Sequence, residues 1–198
     1  MVEEAAESED RRCRFLVRLA GPPAAPVADA LGALAAADRL AGLTAPASSA
    51  LAALARELPT ALLATDGEPA DGALIDVRGA AAQTVGAVRA RAREAILLAA
   101  VGTSRHDAME AGEAGADALL FGGEPAEVRD CVAWWSELFV LPVAAPAPTD
   151  GPRELVLAGV DFLVVEAAAL VDPADPLEAL LERLTAAEAE RSIVPPPA

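Results

Sequence analysis

Eight short apolar runs recur along this chain, and most are followed by a stretch of helical character. That alternation leaves few folds open. FLVRLAG (Phe15 to Gly21) precedes an Ala/Leu-rich helix over Ala25 to Ala37, and RLAGLT (Arg39 to Thr44) precedes SSALAALARE, with Ser48 placed as its N-cap. TALLAT (Thr60 to Thr65) opens into DGEPADG, a turn or one short helical turn. GALID (Gly72 to Asp76) leads to a helix over Ala81 to Arg93, whose arginines gather where the helix dipole favours cations. ILLAAVG (Ile96 to Gly102) is capped by Thr103 or Ser104 into RHDAMEAGEAG, which stops at Gly115, the position where a C′ glycine belongs. ADALLFGG (Ala116 to Gly123), VLPVAA (Val140 to Ala145) and VDFLVVEAA (Val160 to Ala168) complete the set, each with a helix behind it.

Continuous apolar strands alternating with helices indicate a parallel sheet buried on both faces. Eight such units are the number that closes a barrel, so the expected fold is α/β, a (β/α)8 TIM barrel with short loops. An open doubly wound sheet is the runner-up, but it wants a glycine-rich phosphate turn after the first strand, and GPPAAP (Gly21 to Pro26) is not one. The expected organisation is an acidic, disordered leader over 1–12, one barrel domain over 13–191 and a loose tail over 192–198.

Composition narrows the function classes. Thirty-one acidic residues face fifteen basic ones, for a net charge of -16. A field of that sign repels nucleic acid and anionic membrane, so neither is an expected partner. Every basic residue apart from one histidine is Arg, and there is no Lys, Asn or Tyr. Lysine Schiff-base chemistry and the P-loop lysine are thereby excluded. Cys13 and Cys131 are too few for a disulfide framework and lack metal-ligand spacing, which fits buried thiols in a reducing compartment. With no secretory pattern and no apolar run long enough to span a bilayer, a soluble cytoplasmic protein is expected.

The second half carries more specific patterns. TSRHDAMEAGEAGADALLFGG (Thr103 to Gly123) resembles the fifth-helix, sixth-strand segment of thiamine phosphate synthases. WWSELFVLPVAA (Trp134 to Ala145) is similar to that family's WWSEL helix and following strand, and GVDFLVVEAAAL (Gly159 to Leu170) to its final strand. The three stretches lie in register over Thr103 to Leu170, with a weaker match running back to about Thr60. The resemblance implies a transferase that joins hydroxymethylpyrimidine diphosphate to thiazole phosphate, with Mg²⁺ and release of pyrophosphate. Departure of a diphosphate needs donor clamps on its oxygens and carboxylates for the metal.

On the same resemblance, few of those groups remain. The Asn-Asp-Arg motif falls on Thr65, Asp66 and Gly67, which keeps only the metal-type Asp66. The Gly-Gln-x-Asp motif falls near Asp76 to Gly79, so Asp76 is the candidate for the second carboxylate. The loop that would bring a Lys after the sixth strand is missing beyond Gly122, and the Gly-Gly phosphate turn after the seventh reads Pro146-Ala147-Pro148. Glu166 stands where a small polar phosphate contact is expected. The related thiazole tautomerase branch uses a His where this chain has Gly123. The lone His106 opens a helix, a place suited to solvent rather than to a base.

The candidate set is therefore Asp66 and Asp76 for Mg²⁺ and Thr103, Ser104 and Gly122 for substrate, with no residue assigned to catalysis. Asp66 is equally an N-cap candidate, and Thr103 and Ser104 are helix caps on the simpler reading. Trp134 and Trp135 read as core or interface packing, and the directions of Arg18, Arg78 and Arg105 stay open. The expected protein is a divergent member of the family with its transferase activity lost or weak, binding a small ligand, a protein partner or a second copy of itself. The alternatives are a working synthase with a rearranged site and an acidic cation-binding barrel using Asp66, Asp76 and Glu166.

Overall fold

The computed structural model describes residues 12–66, 70–149 and 151–193. Eight parallel strands close into a barrel in sequence order, β1 (Arg14–Arg18), β2 (Leu40–Ala45), β3 (Ala61–Ala64), β4 (Gly72–Asp76), β5 (Ile96–Gly102), β6 (Ala118–Phe121), β7 (Val143–Pro146) and β8 (Phe162–Glu166). The helices are α1 (Ala25–Ala36), α2 (Ser49–Glu57), α3 (Ala81–Arg91), α4 (Arg105–Glu113), α5 (Pro125–Leu138), α6 (Arg153–Leu157) and α7 (Leu177–Ile193), with a 3-10 turn over Ala167–Val171. Among the described residues no helix lies between β3 and β4; 67–69, within the stretch expected as a turn or one short helical turn, lie outside them. The closing helix reaches Ile193, into the stretch expected as a tail; 194–198 and most of the expected leader lie outside the described residues.

Alternation along the strands sorts the core into two layers. Leu16, Leu63, Leu98, Leu120, Ala144 and Val164 fill the barrel interior. Their neighbours Val17, Leu62, Leu97, Leu119, Ala145 and Leu163 face outward into a larger core beneath the helices. The residues here are mostly alanine, valine and leucine, so helices sit close to the sheet. Gly72 shows how close: a Cβ there would lie 2.2 Å from the Ile96 carbonyl oxygen across the β4–β5 seam.

Local signals set the helix ends. The Ser48 hydroxyl accepts from the Leu51 amide at 3.3 Å and the Ser104 hydroxyl from the Asp107 amide at 3.1 Å. Gly115 (φ +96°) ends α4, with the Ala116 amide reaching back to the Ala111 carbonyl at 3.0 Å. Several strands are shorter than their apolar runs, and the start of β7 moves for a visible reason. β7 begins at Val143 rather than Val140, which is 87% exposed, because the Leu141 carbonyl is taken by the Trp135 indole N–H at 2.8 Å. Trp135 itself is buried in a cluster with Trp134, Phe121 and Phe139, as core packing predicts.

The N-terminal end of the barrel is held by a repeated polar device. Asp71, Asp117 and Asp161 each stand immediately before an even-numbered strand. Each carboxylate accepts a backbone amide of the preceding strand: Leu62 at 2.9 Å, Leu97 at 2.7 Å and Val143 at 2.9 Å. The β1–β2 seam uses a different solution. Arg39 sits before β2, and its guanidinium donates to the Cys13 carbonyl at 2.8 Å and, through both terminal nitrogens, to Glu188 of α7. Glu188 in turn accepts the Cys13 amide at 2.7 Å. The pair is nearly enclosed, with 11% and 15% of the two side chains exposed. Burial, reinforced by the Glu188 charge, pushes the Cys13 thiol up to about 12.

Candidate functional site

Residues at the C-terminal ends of barrel strands converge on one mouth, where enzymes of this fold place their chemistry. Here that mouth divides into an ionic half and an apolar half.

The ionic half spans β8, β1, β2 and β4. Arg18 points into the mouth and donates to Glu166 at 2.9 Å, so the guanidinium and the carboxylate neutralise each other. Asp76 at the end of β4 is gripped by Arg78, whose Nε lies 2.9 Å from Oδ1 and whose Nη2 takes Oδ2. The Arg78 side chain and amide hold the Asp76 carboxyl down at about 2, well below the ordinary carboxylate range. Asp66 accepts the Ala47 amide at 2.8 Å and so fastens the loop after β2. Gly67, the neighbour that would carry a diphosphate clamp, lies outside the described residues. Between Arg18 and β3 the Thr44 hydroxyl is fully buried with no hydrogen-bond partner. Among the described residues no group of three or more His, Cys, Asp or Glu side chains is arranged to hold a metal ion.

The apolar half lies over β6 and β7. A cleft of about 400 Å³ is lined by Gly123, Pro125, Val128, Pro146, Ala147, Pro148, Thr149 and Leu155. Proline has no amide hydrogen, and the Ala147 amide donates to the Val164 carbonyl at 2.9 Å. The turn after β7 therefore has no spare donor at 146–148. Sequence reasoning placed the deficit at this turn, but the cleft itself required the packing of α5 and α6 around it.

The other sequence candidates do not meet at one point. Ser104 is the cap of α4. Thr103 presents its carbonyl to the Cys131 thiol at 3.5 Å, and the Gly122 amide is bonded to the Gly102 carbonyl at 3.1 Å. Arg105 turns away from the mouth to lie 4.8 Å from the Trp134 ring centre, while Arg78 stays at the mouth. His106 is solvent-exposed beside Glu110, at 3.4 Å on the same helix.

These features define a (β/α)8 barrel with a polar but self-neutralised mouth. Known structures bear out the class. Orotidine 5'-monophosphate decarboxylase from Metallosphaera sedula superposes with a TM-score of 0.63 at 13% identity, over 90% of this chain and 99% of that one. (S)-3-O-geranylgeranylglyceryl phosphate synthase from Thermoplasma acidophilum, solved with sn-glycerol-1-phosphate, superposes at 0.57 and 16% identity, over 96% and 98%. At such identities the likeness establishes the fold. In sequence, the chain is 36% identical over 109 residues to the thiamine-phosphate synthase of Erythrobacter litoralis (strain HTCC2594), which takes in 48% of this chain and 51% of that protein. The chain thus spans about half the length of the curated relative it matches. No family model matches it.

Proposed function

We propose that this chain is a divergent barrel of thiamine phosphate synthase ancestry that has lost, or nearly lost, phosphoryl-ester substrates and the transfer reaction, and that it acts by binding a ligand. The observation that carries this reading is the turn after β7. Phosphate cradles in this fold are built from backbone N–H groups after strands seven and eight. Pro146 and Pro148 have none, and the Ala147 amide is committed to Val164. The next strand ends in Glu166, which already holds Arg18, the cation at that end of the mouth.

The carboxylates left for Mg²⁺ support the same reading. A cation at Asp76 must displace Arg78 from both oxygens, and one at Asp66 competes with the Ala47 amide. Two free, buried thiols support a reducing, cytoplasmic setting.

The test is direct. Purified protein is supplied with hydroxymethylpyrimidine diphosphate, thiazole phosphate and Mg²⁺, and thiamine phosphate is followed with time. The expected result is no formation above a protein-free control. Turnover that disappears in Asp66→Ala would instead establish a synthase with a rearranged site.

A further inference from the structure

The cleft over β6 and β7 has the volume of a small-molecule site, and its lining says what chemistry it can take. Its walls are proline, alanine, valine and leucine, with Thr149 the one hydroxyl-bearing lining residue. An anion finds no donor at 146–148. The N-terminus of α5 would ordinarily attract one, but it begins with Pro125 and carries Glu127 in its first turn, with Glu124 as the residue before it. The Val128 amide is already bonded to the Glu124 carbonyl at 3.0 Å.

The cations nearest in the chain are matched. Arg153, before the lining residue Leu155, pairs with Glu154 and Glu190, and Arg129 pairs with Asp130; elsewhere at the mouth, Arg18 pairs with Glu166. Next to the lining residues Gly123, Pro125 and Val128 in the chain stand two exposed carboxylates, Glu124 and Glu127, on a chain of net charge -16. An apolar cleft with carboxylates beside its lining residues is complementary to an organic cation.

We propose that this cleft binds a small, phosphate-free organic cation with an apolar or aromatic body. The body lies against Val128, Ala147 and Leu155, and the positive group faces Glu124 and Glu127. The proposal deepens the ligand-binding reading above and is tested separately from the synthase assay.

Three probes share one ring and differ in charge: benzyltrimethylammonium, benzyl alcohol and benzyl phosphate. Each is titrated into full-length protein while the methyl signals of Val128 and Leu155 are followed by NMR. The ammonium and the alcohol are expected to shift those methyls saturably, with the ammonium about threefold tighter at low salt and the gap closing as salt is raised. The phosphate is expected to leave them unmoved. Glu124→Gln with Glu127→Gln removes the ammonium's advantage and leaves the alcohol unchanged. Ala147→Phe fills the cleft and abolishes both; Thr149→Trp, at an exposed position, does the same without touching the core. Benzyl phosphate binding as well as the ammonium, or no shift with any probe at millimolar concentration, would overturn the proposal. So would ammonium binding that survives Thr149→Trp in a folded protein. Synthase turnover would overturn the function proposed above without deciding this one.

Discussion

The two ends of the barrel are built on different terms. At the N-terminal end the charged side chains are tied to the backbone: Asp71, Asp117 and Asp161 each accept an amide across a seam, and the enclosed Arg39–Glu188 pair holds the amide and carbonyl of Cys13. At the C-terminal end the charged groups are given to one another, Arg18 to Glu166 and Arg78 to Asp76, over an exposed surface. A buried charge left without its partner is costly, whereas an exposed pair contributes little. The comparison teaches that the charged groups of this chain close the barrel at one end and pair with one another at the other.

The comparison can be broken first at the N-terminal end. Glu188→Gln leaves the enclosed Arg39 guanidinium with half of its ion pair gone, and should cost about 3 kcal/mol in urea unfolding. The same variant should let Cys13, now fully buried, react with a thiol reagent measurably faster than in the parent. Unchanged stability would mean that the clasp is ornamental and the contrast between the ends false.

A smaller loss is expected at the other seams. Asp161→Ala removes the acceptor of the Val143 amide, and Asp117→Ala removes that of Leu97; each should cost about 1–2 kcal/mol. Amide exchange at Val143 and Leu97 should accelerate more than elsewhere, which separates a local loss from a general one.

At the mouth the effects should be slight. Asp66→Ala should change stability by about 0.5 kcal/mol or less, since one exposed hydrogen bond is lost. Asp76→Asn tests the pH sign. The folded carboxyl lies at about 2 against an ordinary 3.8, so its contribution is present above about pH 4 and is lost as pH falls through 2. Parent and variant should therefore converge below pH 2 and differ by a small, salt-sensitive amount above pH 4. A large difference at neutral pH would show that the mouth is built like the opposite end.

Much of this was legible beforehand because it is local. The apolar runs read as strands, Ser48 and Ser104 as caps and Gly115 as a helix stop, since periodicity and capping act over a few residues. The Asp clasps also left a signal: an aspartate recurs just before the strands at ADG, GAD and GVD. Its meaning was hidden, because the accepted amides lie from 9 to 20 residues away, on the neighbouring strand. Val140 misled for the opposite reason: its apolar run looks continuous with β7, yet a hydrogen bond from Trp135 holds the chain outside the sheet.

The sequence by itself determined the strand–helix alternation, the negative charge, the lack of Lys and Asn, and the two prolines after the seventh strand. Those are properties of composition and short windows. Tertiary structure alone decided that Arg18 meets Glu166 across 148 positions, that Arg39 meets Glu188 across 149, and that Arg105 turns to Trp134 rather than to the mouth. It also decided that the proline turn faces Val128 and Leu155 across a cleft. Barrel closure brings β8 against β1 and sets α5 and α6 side by side, and no window of sequence contains the partners that closure creates.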